Sequence, residues 1–210
     1  PLPDRPAPSA QDITDEVDAL AQRGITRVLT GALHHGELRP FLDAGFTVHE
    51  RLHLLRHDLR QIPEGTAPVR NRRAWRRDQA AILAIDRRAF DAFWALDARG
   101  LDDAVRATPV SRYRVTTTDG EITGYAITGR AAARGYLQRL AVDPDRHREG
   151  IGAALVADSL RWLRRNGAGV AVVNTQEHNE PALALYLATG FVLEPHGLTV
   201  LTTQLPGSPS

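Results

Sequence analysis

The sequence predicts an α/β protein: a mixed central sheet flanked by helices, preceded by a strand–helix–strand–strand half-domain. Three observations lead there. From Asp12 to Leu205, β-branched runs alternate with helix-like stretches, the pattern of strands and helices packed in layers. A strand reading Leu137 to Val142 passes through a Pro-marked turn into a helix that opens Gly150-x-Gly152. Finally, the chain resembles itself at an offset of 145 positions.

That offset puts Gly24 on Gly169, Thr30 on Thr175, Phe41 on Tyr186, Leu42 on Leu187, Gly45 on Gly190 and Phe46 on Phe191, without a gap. A fixed-period match marks a repeated supersecondary unit. The expectation is that residues 12–60 copy the last half of a full domain at 69–205, with 61–68 as linker. The copy has no counterpart of the Gly150-x-Gly152 junction, so it is expected to be catalytically empty.

Taken in order, residues 1–11 are Pro-rich and read as a disordered lead-in, as does the tail 206–210. A short helix runs from Asp12 towards Gly24, a strand follows over Ile25–Thr30, a second helical stretch stops at Gly45, and strand-like sequence continues to Leu59. The linker carries Pro63, Gly65 and Pro68. Beyond it, Val69–Trp75 reads as a strand, Asp78–Phe93 and Leu101–Ala107 as helices, and Tyr113–Thr118 with Gly120–Gly129 as a hairpin turning at Asp119-Gly120. Tyr136–Val142 is a strand. Gly150–Asn166 is a helix with Val156, Leu160 and Leu163 at helical spacing and Gly167 at its C-cap. Val170–Thr175 is a strand, Pro181–Ala188 a helix stopping before Gly190, and Phe191–Leu205 two final strands.

Composition narrows the function. The 210 residues carry 26 basic and 25 acidic side chains, a net charge of +1, which is not the field of a nucleic-acid coat. There is no cysteine, so disulfides, thiolate nucleophiles and zinc–thiolate sites are excluded. Every basic residue is Arg, so no Lys is available for a Schiff base or a Walker-type phosphate contact. No apolar run of ~18 residues spans a bilayer, and no signal-peptide segment stands at the N-terminus. The expectation is a cytoplasmic monomer or homodimer that binds neither nucleic acid nor membrane, with no metal.

The chemistry concentrates between Leu137 and Leu155. Unpaired N–H groups at a helix start, uncovered by glycine and reinforced by the helix dipole, form an anion site. Arg146 and Arg148 add charge nearby. A Walker loop needs Lys, and a dinucleotide fingerprint needs Gly or Ala at Leu155. What remains fits another pyrophosphate carrier, and the alternative is that the two glycines simply let the helix pack close to the sheet. Leu140-Ala-Val-Asp-Pro144 followed by His147-x-x-Gly150-x-Gly152 resembles motif A of the GNAT N-acetyltransferase superfamily, and Asn179-x-x-Ala182-x-x-Leu185-Tyr186-x-x-x-Gly190-Phe191 resembles its downstream motif. Two motifs in the right order and spacing are more specific than either alone, and the resemblance covers about residues 69–205.

The resemblance implies acetyl-CoA as donor. Its pantetheine would lie along Leu140, Ala141 and Val142, and its pyrophosphate on the amides of the stretch from His147 through Arg148, Glu149, Gly150, Ile151 and Gly152 to Ala153. Asn179 would touch the donor, and Tyr186 would protonate the departing thiolate. The acceptor implied is a primary amine, on a small molecule or at a protein N-terminus. Two residues depart from the family pattern. His147 replaces the usual Gln or Arg, and Asn174 stands where related ribosomal-protein alanine acetyltransferases carry a glutamate base. Glu177, His178, a water chain or an already neutral amine stay open as the base. Asn174 also supports an alternative, a non-catalytic acetyl-CoA-binding sensor or scaffold.

Other features have simpler readings. His49, His53 and His57 stand four apart in a strand, ~13 Å from one another, too far to share a metal ion, so they are expected on a solvated face. The cluster Arg70, Arg72, Arg73, Arg76 and Arg77 around Trp75 is expected to be an exposed face. Phe90–Trp94 lies between the first two helices of the larger domain, either as acceptor pocket or as core.

Overall fold

The computed structural model describes residues 8–64 and 69–205. The expected lead-in over 1–7, part of the expected linker at 65–68 and the expected tail at 206–210 lie outside them. The chain forms two compact units: Pro1–Leu54, Asn174–Glu180 and Glu194–Ser210 make the first, and Leu55–Val173 with Pro181–Leu193 the second.

The first unit begins with α1 (Ala10–Gln22), earlier than the sequence reading placed it. Ser9 is the reason. Its hydroxyl accepts the Asp12 N–H at 3.2 Å while the Asp12 carboxylate accepts the Ser9 N–H at 2.9 Å, a reciprocal cap that orders residues assigned to a lead-in. There follow β1 (Arg27–Leu29), β2 (Leu33–His34), α2 (Leu38–Asp43) and β3 (Thr47–His57), of which residues 47–54 belong to this unit. β10 (Leu198–Gln204) pairs antiparallel with β1, β2 and β3. Ile13, Phe46 and Leu201 are buried at its centre, with Val17, Val28, Leu38 and Phe41 packed around them.

In the second unit the sheet order is β4-β5-β6-β7-β8, where β4 is Arg70–Arg73, β5 Val110–Thr118, β6 Glu121–Ala131, β7 Arg134–Val142 and β8 Val170–Gln176. Neighbours are antiparallel except β7 and β8, which are parallel, so the sheet is mixed. The β5–β6 turn places Asp119 at φ 53° and Gly120 at φ 86°, the type I′ geometry that Asp-Gly favours. Helices cover both faces. Tyr125 and Ile127 of β6 pack with Ile82 and Ile85 of α3 (Gln79–Ala89) and Leu101 of α4 (Ala98–Arg106). Ala126 between them packs with Ile151 and Leu155 of α5 (Ile151–Arg165), as strand alternation requires. Val156, Leu160 and Leu163 of α5 join Leu137, Tyr186 of α6 (Glu180–Ala188) and Phe191 in a third cluster. The short β9 (Val192–Leu193) pairs with residues 55–56 of β3.

Three local readings need correction. α3 stops at Ala89, short of Phe93, because Phe90 turns extended with its ring over Arg139, and the Trp94 and Ala95 N–H groups then bond back to Asp91 O in a separate turn. His57 is buried rather than solvated: Nδ1 accepts the Leu59 N–H at 2.8 Å and the ring meets Phe191 edge-on at 5.2 Å. Arg72 leaves the exposed arginine face, holding the buried carboxylate of Asp78 at 2.6 and 2.9 Å, and pulls that carboxyl below its ordinary range.

Candidate active site

β7 is the strand from which the site is built. Its pairing with β6 runs its whole length, but its pairing with β8 covers only Arg134, Gly135 and Tyr136. From Leu137 to Val142 the edge facing β8 carries no ladder among the described residues. Backbone donors and acceptors on such an edge are available to an extended ligand.

A register shift interrupts the β6 ladder. Leu137 lies opposite Thr128 and Arg139 opposite Ile127, which leaves Gln138 as the extra residue of a bulge. Strand alternation puts residues two apart on the same face, but the bulge places Leu137 among the α5 and α6 side chains and Arg139 against α3. Leu140 and Ala141 then resume the alternation, one in each layer.

After Val142 the turn is tightly held. Asp143 donates its N–H to Thr123 O at 2.9 Å, its carboxylate accepts the Asp145 N–H at 3.0 Å, and Arg88 reaches Asp143 and Asp145 at 2.9 and 2.7 Å. Arg146 pairs with Glu149 at 3.0 Å. The His147 ring folds back so that Nε2 stands 3.3 Å from Val142 O. A carbonyl can only accept, so that nitrogen carries the proton. Arg148 at φ 65° and Gly150 at φ 78° then turn the backbone through the left-handed region, the geometry in which successive N–H groups converge on an anion. No side chain caps α5, and its first intrahelical bond is from Ala154 N–H to Gly150 O at 3.0 Å. The Ile151, Gly152 and Ala153 amides therefore lack intrahelical partners. These residues fit a pyrophosphate beside an open strand edge. Gly152 has a packing reason as well, since a Cβ there would stand 3.0 Å from Leu185 Cδ2.

Tyr186, on α6, is buried. Its ring meets Phe191 at 5.5 Å and 61°, and its hydroxyl has no hydrogen-bond partner among the described residues. Burial pushes its pKa up to about 12, with the Arg139 charge acting weakly in the opposite direction. The phenol thus keeps its proton well past neutrality. The second unit brings together Leu140, Ala141, Val142, the 147–153 turn and Tyr186. Asn174, Glu177, His178 and Asn179 belong to the first unit. Asn174 is exposed, the Glu177 N–H donates to Arg51 O at 3.2 Å, His178 Nδ1 lies 3.6 Å from Glu50, and the Asn179 N–H donates to Gln176 O at 3.0 Å.

Sequence reasoning missed one constellation. Asp86 is fully buried, and its carboxylate accepts the Tyr125 hydroxyl, the Leu96 N–H at 2.7 Å, and Arg139 Nε and Nη2 at 2.8 Å each. The signal was present: Ile82, Ile85, Asp86 and Ala89 share one apolar helix face, and a carboxylate there needs a buried partner. Among the described residues no cluster of three or more His, Cys, Asp and Glu is arranged to hold a metal, and no helix is long and apolar enough to cross a membrane.

The acetyltransferase (GNAT) family profile matches residues 59–191. The chain is similar to mycothiol acetyltransferase of Saccharomonospora viridis, 29% identical over 133 residues, or 54% of this chain and 42% of that one. It is similar to the ribosomal protein bS18 alanine N-acetyltransferase of Escherichia coli, 33% identical over 75 residues, 36% of this chain and 51% of that one. The chain thus spans about half the length of the curated relatives it matches. In fold it follows a tandem GNAT protein from the clavulanic acid biosynthesis pathway, with a TM-score of 0.68 at 13% identity over 95% of this chain and 70% of that one. With well over half of its length matched, this chain belongs to the acetyltransferase (GNAT) family.

Proposed function

We propose that this chain is an acetyl-CoA-dependent N-acetyltransferase whose acceptor is a primary amine, on a small molecule or at a protein N-terminus. The observation that carries the proposal is the separation of β7 from β8 beyond Tyr136, directly ahead of the uncapped amides of α5. Such an edge offers paired backbone bonds to a pantetheine, and such a helix start offers N–H groups and a positive dipole end to a pyrophosphate. On this reading Leu140–Val142 holds the pantetheine arm and residues 147–153 hold the phosphates. Asn179 is a donor contact by its place in the downstream motif.

The reaction is a direct transfer. The amine nitrogen bonds to the thioester carbonyl carbon, the carbon–sulfur bond breaks, the amine releases a proton to a side-chain base or to water, and the thiolate takes one. A backbone N–H of the Leu140–Val142 edge stabilises the charge developing on the carbonyl oxygen. Tyr186 supplies the thiolate proton: a phenol that stays protonated beside a leaving group of pKa ~8.5 can give its proton as the sulfur departs. Asn174 cannot accept a proton, so the amine arrives neutral or loses its proton to Glu177, to His178 or to water. The first unit serves as a structural half-copy, a reading supported by two matching corners. In each, the N–H of the residue after a positive-φ glycine (Phe46, Phe191) bonds to the carbonyl of an aromatic five residues back (Phe41, Tyr186) at 3.0 Å, and the two rings stack edge-on.

The test is calorimetric titration of acetyl-CoA into the wild type and an Ala153→Glu variant. A carboxylate in the first turn favours the helix dipole by about 0.3–1 kcal/mol but repels an anion, so binding should vanish while Tm holds or rises. Binding retained in the variant would remove the phosphate assignment. The exposed amide at Asn174 favours a second reading, a donor-binding sensor without turnover. Tight acetyl-CoA binding with no thiol release across a panel of amines would establish it.

A further inference from the structure

The two sides of the β7 bulge have opposite parity. Before it, odd-numbered residues face α5: Leu137 lies in the cluster of Val156 and Leu160, and a Cβ at Gly135 would meet Leu163. After it, even-numbered residues do: Leu140 and Val142 pack with Ile151 and Leu155, while Arg139 and Ala141 lie in the α3 layer. Backbone direction alternates together with the side chains, so the bulge also decides which residues aim N–H and C=O at β6. The Asp143 N–H bonds to Thr123 O at 2.9 Å, which by alternation sets Ala141 towards β6 and turns Leu140 and Val142 to the open edge. A strand without the extra residue would present Ala141 there instead.

The extra residue does not hold its own bulge through its amide oxygen, because Gln138 Oε1 is buried with no hydrogen-bond partner among the described residues. Asp86 supplies the preference. Its carboxylate is fully buried and takes two hydrogen bonds from Arg139 at 2.8 Å each, besides those from Tyr125 and Leu96. Counted on from Leu137 opposite Thr128, an unbulged strand would put Arg139 opposite Ala126, among Ile151 and Leu155, and leave Asp86 without its counter-charge. A buried ion pair adds little over a well-packed apolar pair, but breaking it strands a charge, so it separates two registers more than it stabilises either.

We propose that Asp86 and Arg139 are positioning residues that lock β7 in its bulged register, so that Leu140 and Val142, and not Ala141, offer their backbone groups to the acyl donor. That a donor lies on this edge rests on the acetyltransferase reading; the register does not.

The whole chain has no cysteine, so engineered pairs report the register directly. Ala126→Cys with Leu140→Cys faces two thiols across a non-hydrogen-bonded pair of the bulged register, where Cα atoms stand about 4.5 Å apart, within disulfide reach. Ala126→Cys with Arg139→Cys, carrying Asp86→Leu, faces thiols only after a slip. With oxidised glutathione the first pair should close in the otherwise native chain, and at least about threefold less once Asp86→Leu and Arg139→Met are added; the second pair should close. Either an unchanged first pair or an open second pair overturns the lock. Should the apolar variant fail to fold, Asp86→Asn with Arg139→Gln, which keeps hydrogen-bonding groups without charge, takes its place. Calorimetry with acetyl-CoA adds a readout that packing alone would not move: the folded chain lacking the pair should bind at least about tenfold more weakly than wild type, and equal affinity overturns the positioning role. Absence of acetyl-CoA binding to the wild type defeats the acetyltransferase reading by itself, and the disulfide result still decides the register.

Discussion

Tyr186→Phe separates chemistry from folding. The hydroxyl has no protein partner among the described residues, while the ring is buried against Phe191, so removing one oxygen forfeits no hydrogen bond and leaves the packing intact. Urea stability at pH 8 should therefore stay within about 0.5 kcal/mol of wild type. Turnover should not: loss of a proton donor costs on the order of 10²–10⁴ in kcat, and acetyl-CoA affinity should be unchanged because the proposed donor contacts are backbone groups elsewhere. A second effect follows from burial. The phenol titrates near 10.0 when unfolded and at about 12 in the fold. Above pH 10 the unfolded chain gives up this proton first, so the folded state binds more protons and stability falls as pH rises, until the folded phenol also ionises. The loss amounts to about 1 kcal/mol at pH 11 and approaches about 3 kcal/mol beyond pH 12. Tyr186→Phe lacks this component and should overtake wild type between pH 10 and 12 in paired urea melts. Parallel stability curves for the two proteins across that range would refute the burial argument, and undiminished kcat would refute the proton-donor role.

Three further predictions concern the scaffold. A Cβ at Gly135 would stand 2.6 Å from both Leu163 methyl carbons in a fully buried site; Gly135→Ala should cost about 1–3 kcal/mol, Leu163→Ala about 2–5, and the double variant less than their sum, as a double-mutant cycle by urea denaturation will read. Burial holds the His57 pKa below its ordinary 6.5, outweighing the neighbouring Asp58. The unfolded chain therefore protonates first as pH falls below 6.5, and stability drops there; His57→Asn, which keeps an acceptor for the Leu59 N–H, should have a flatter acid limb in melts from pH 7 to 5. Gly120, at φ 86°, permits the type I′ turn, so Gly120→Ala should cost about 1 kcal/mol and Gly120→Asn less, measured as Tm.

What the sequence revealed and what it hid divide along the range of the interactions. α5 was legible because Val156, Leu160 and Leu163 recur at helical spacing and Gly167 ends the helix, and the β5–β6 turn because Asp119-Gly120 meets the φ demands of its type. The turn into α5 was legible for the same reason: Gly150, at φ 78°, is a local backbone statement. The start of α1 was locally encoded too, in Ser9 and Asp12, but the proline-rich surroundings masked it. The Asp86–Arg139 pair joins residues 53 positions apart. Without the bulge at Gln138, alternation would send Arg139 to the opposite face of the sheet from Asp86, and nothing in the local sequence announces that extra residue. Counting along β3 sends His57 to solvent, whereas its burial comes from Phe191, far along the chain.

The two aromatic corners, Phe41 with Phe46 and Tyr186 with Phe191, carry the same backbone bond at 3.0 Å and nearly equal ring separations of 5.6 and 5.5 Å. In their aromatic pairs they differ by a single oxygen atom. Because that oxygen contributes nothing to holding its corner together, folding exerts no selection on it. On the proposed mechanism, a single Tyr-to-Phe codon change at this corner would remove the proton donor while leaving the fold's stability as it was. Measurements of stability or expression alone would then not tell an active chain of this architecture from an inactive one.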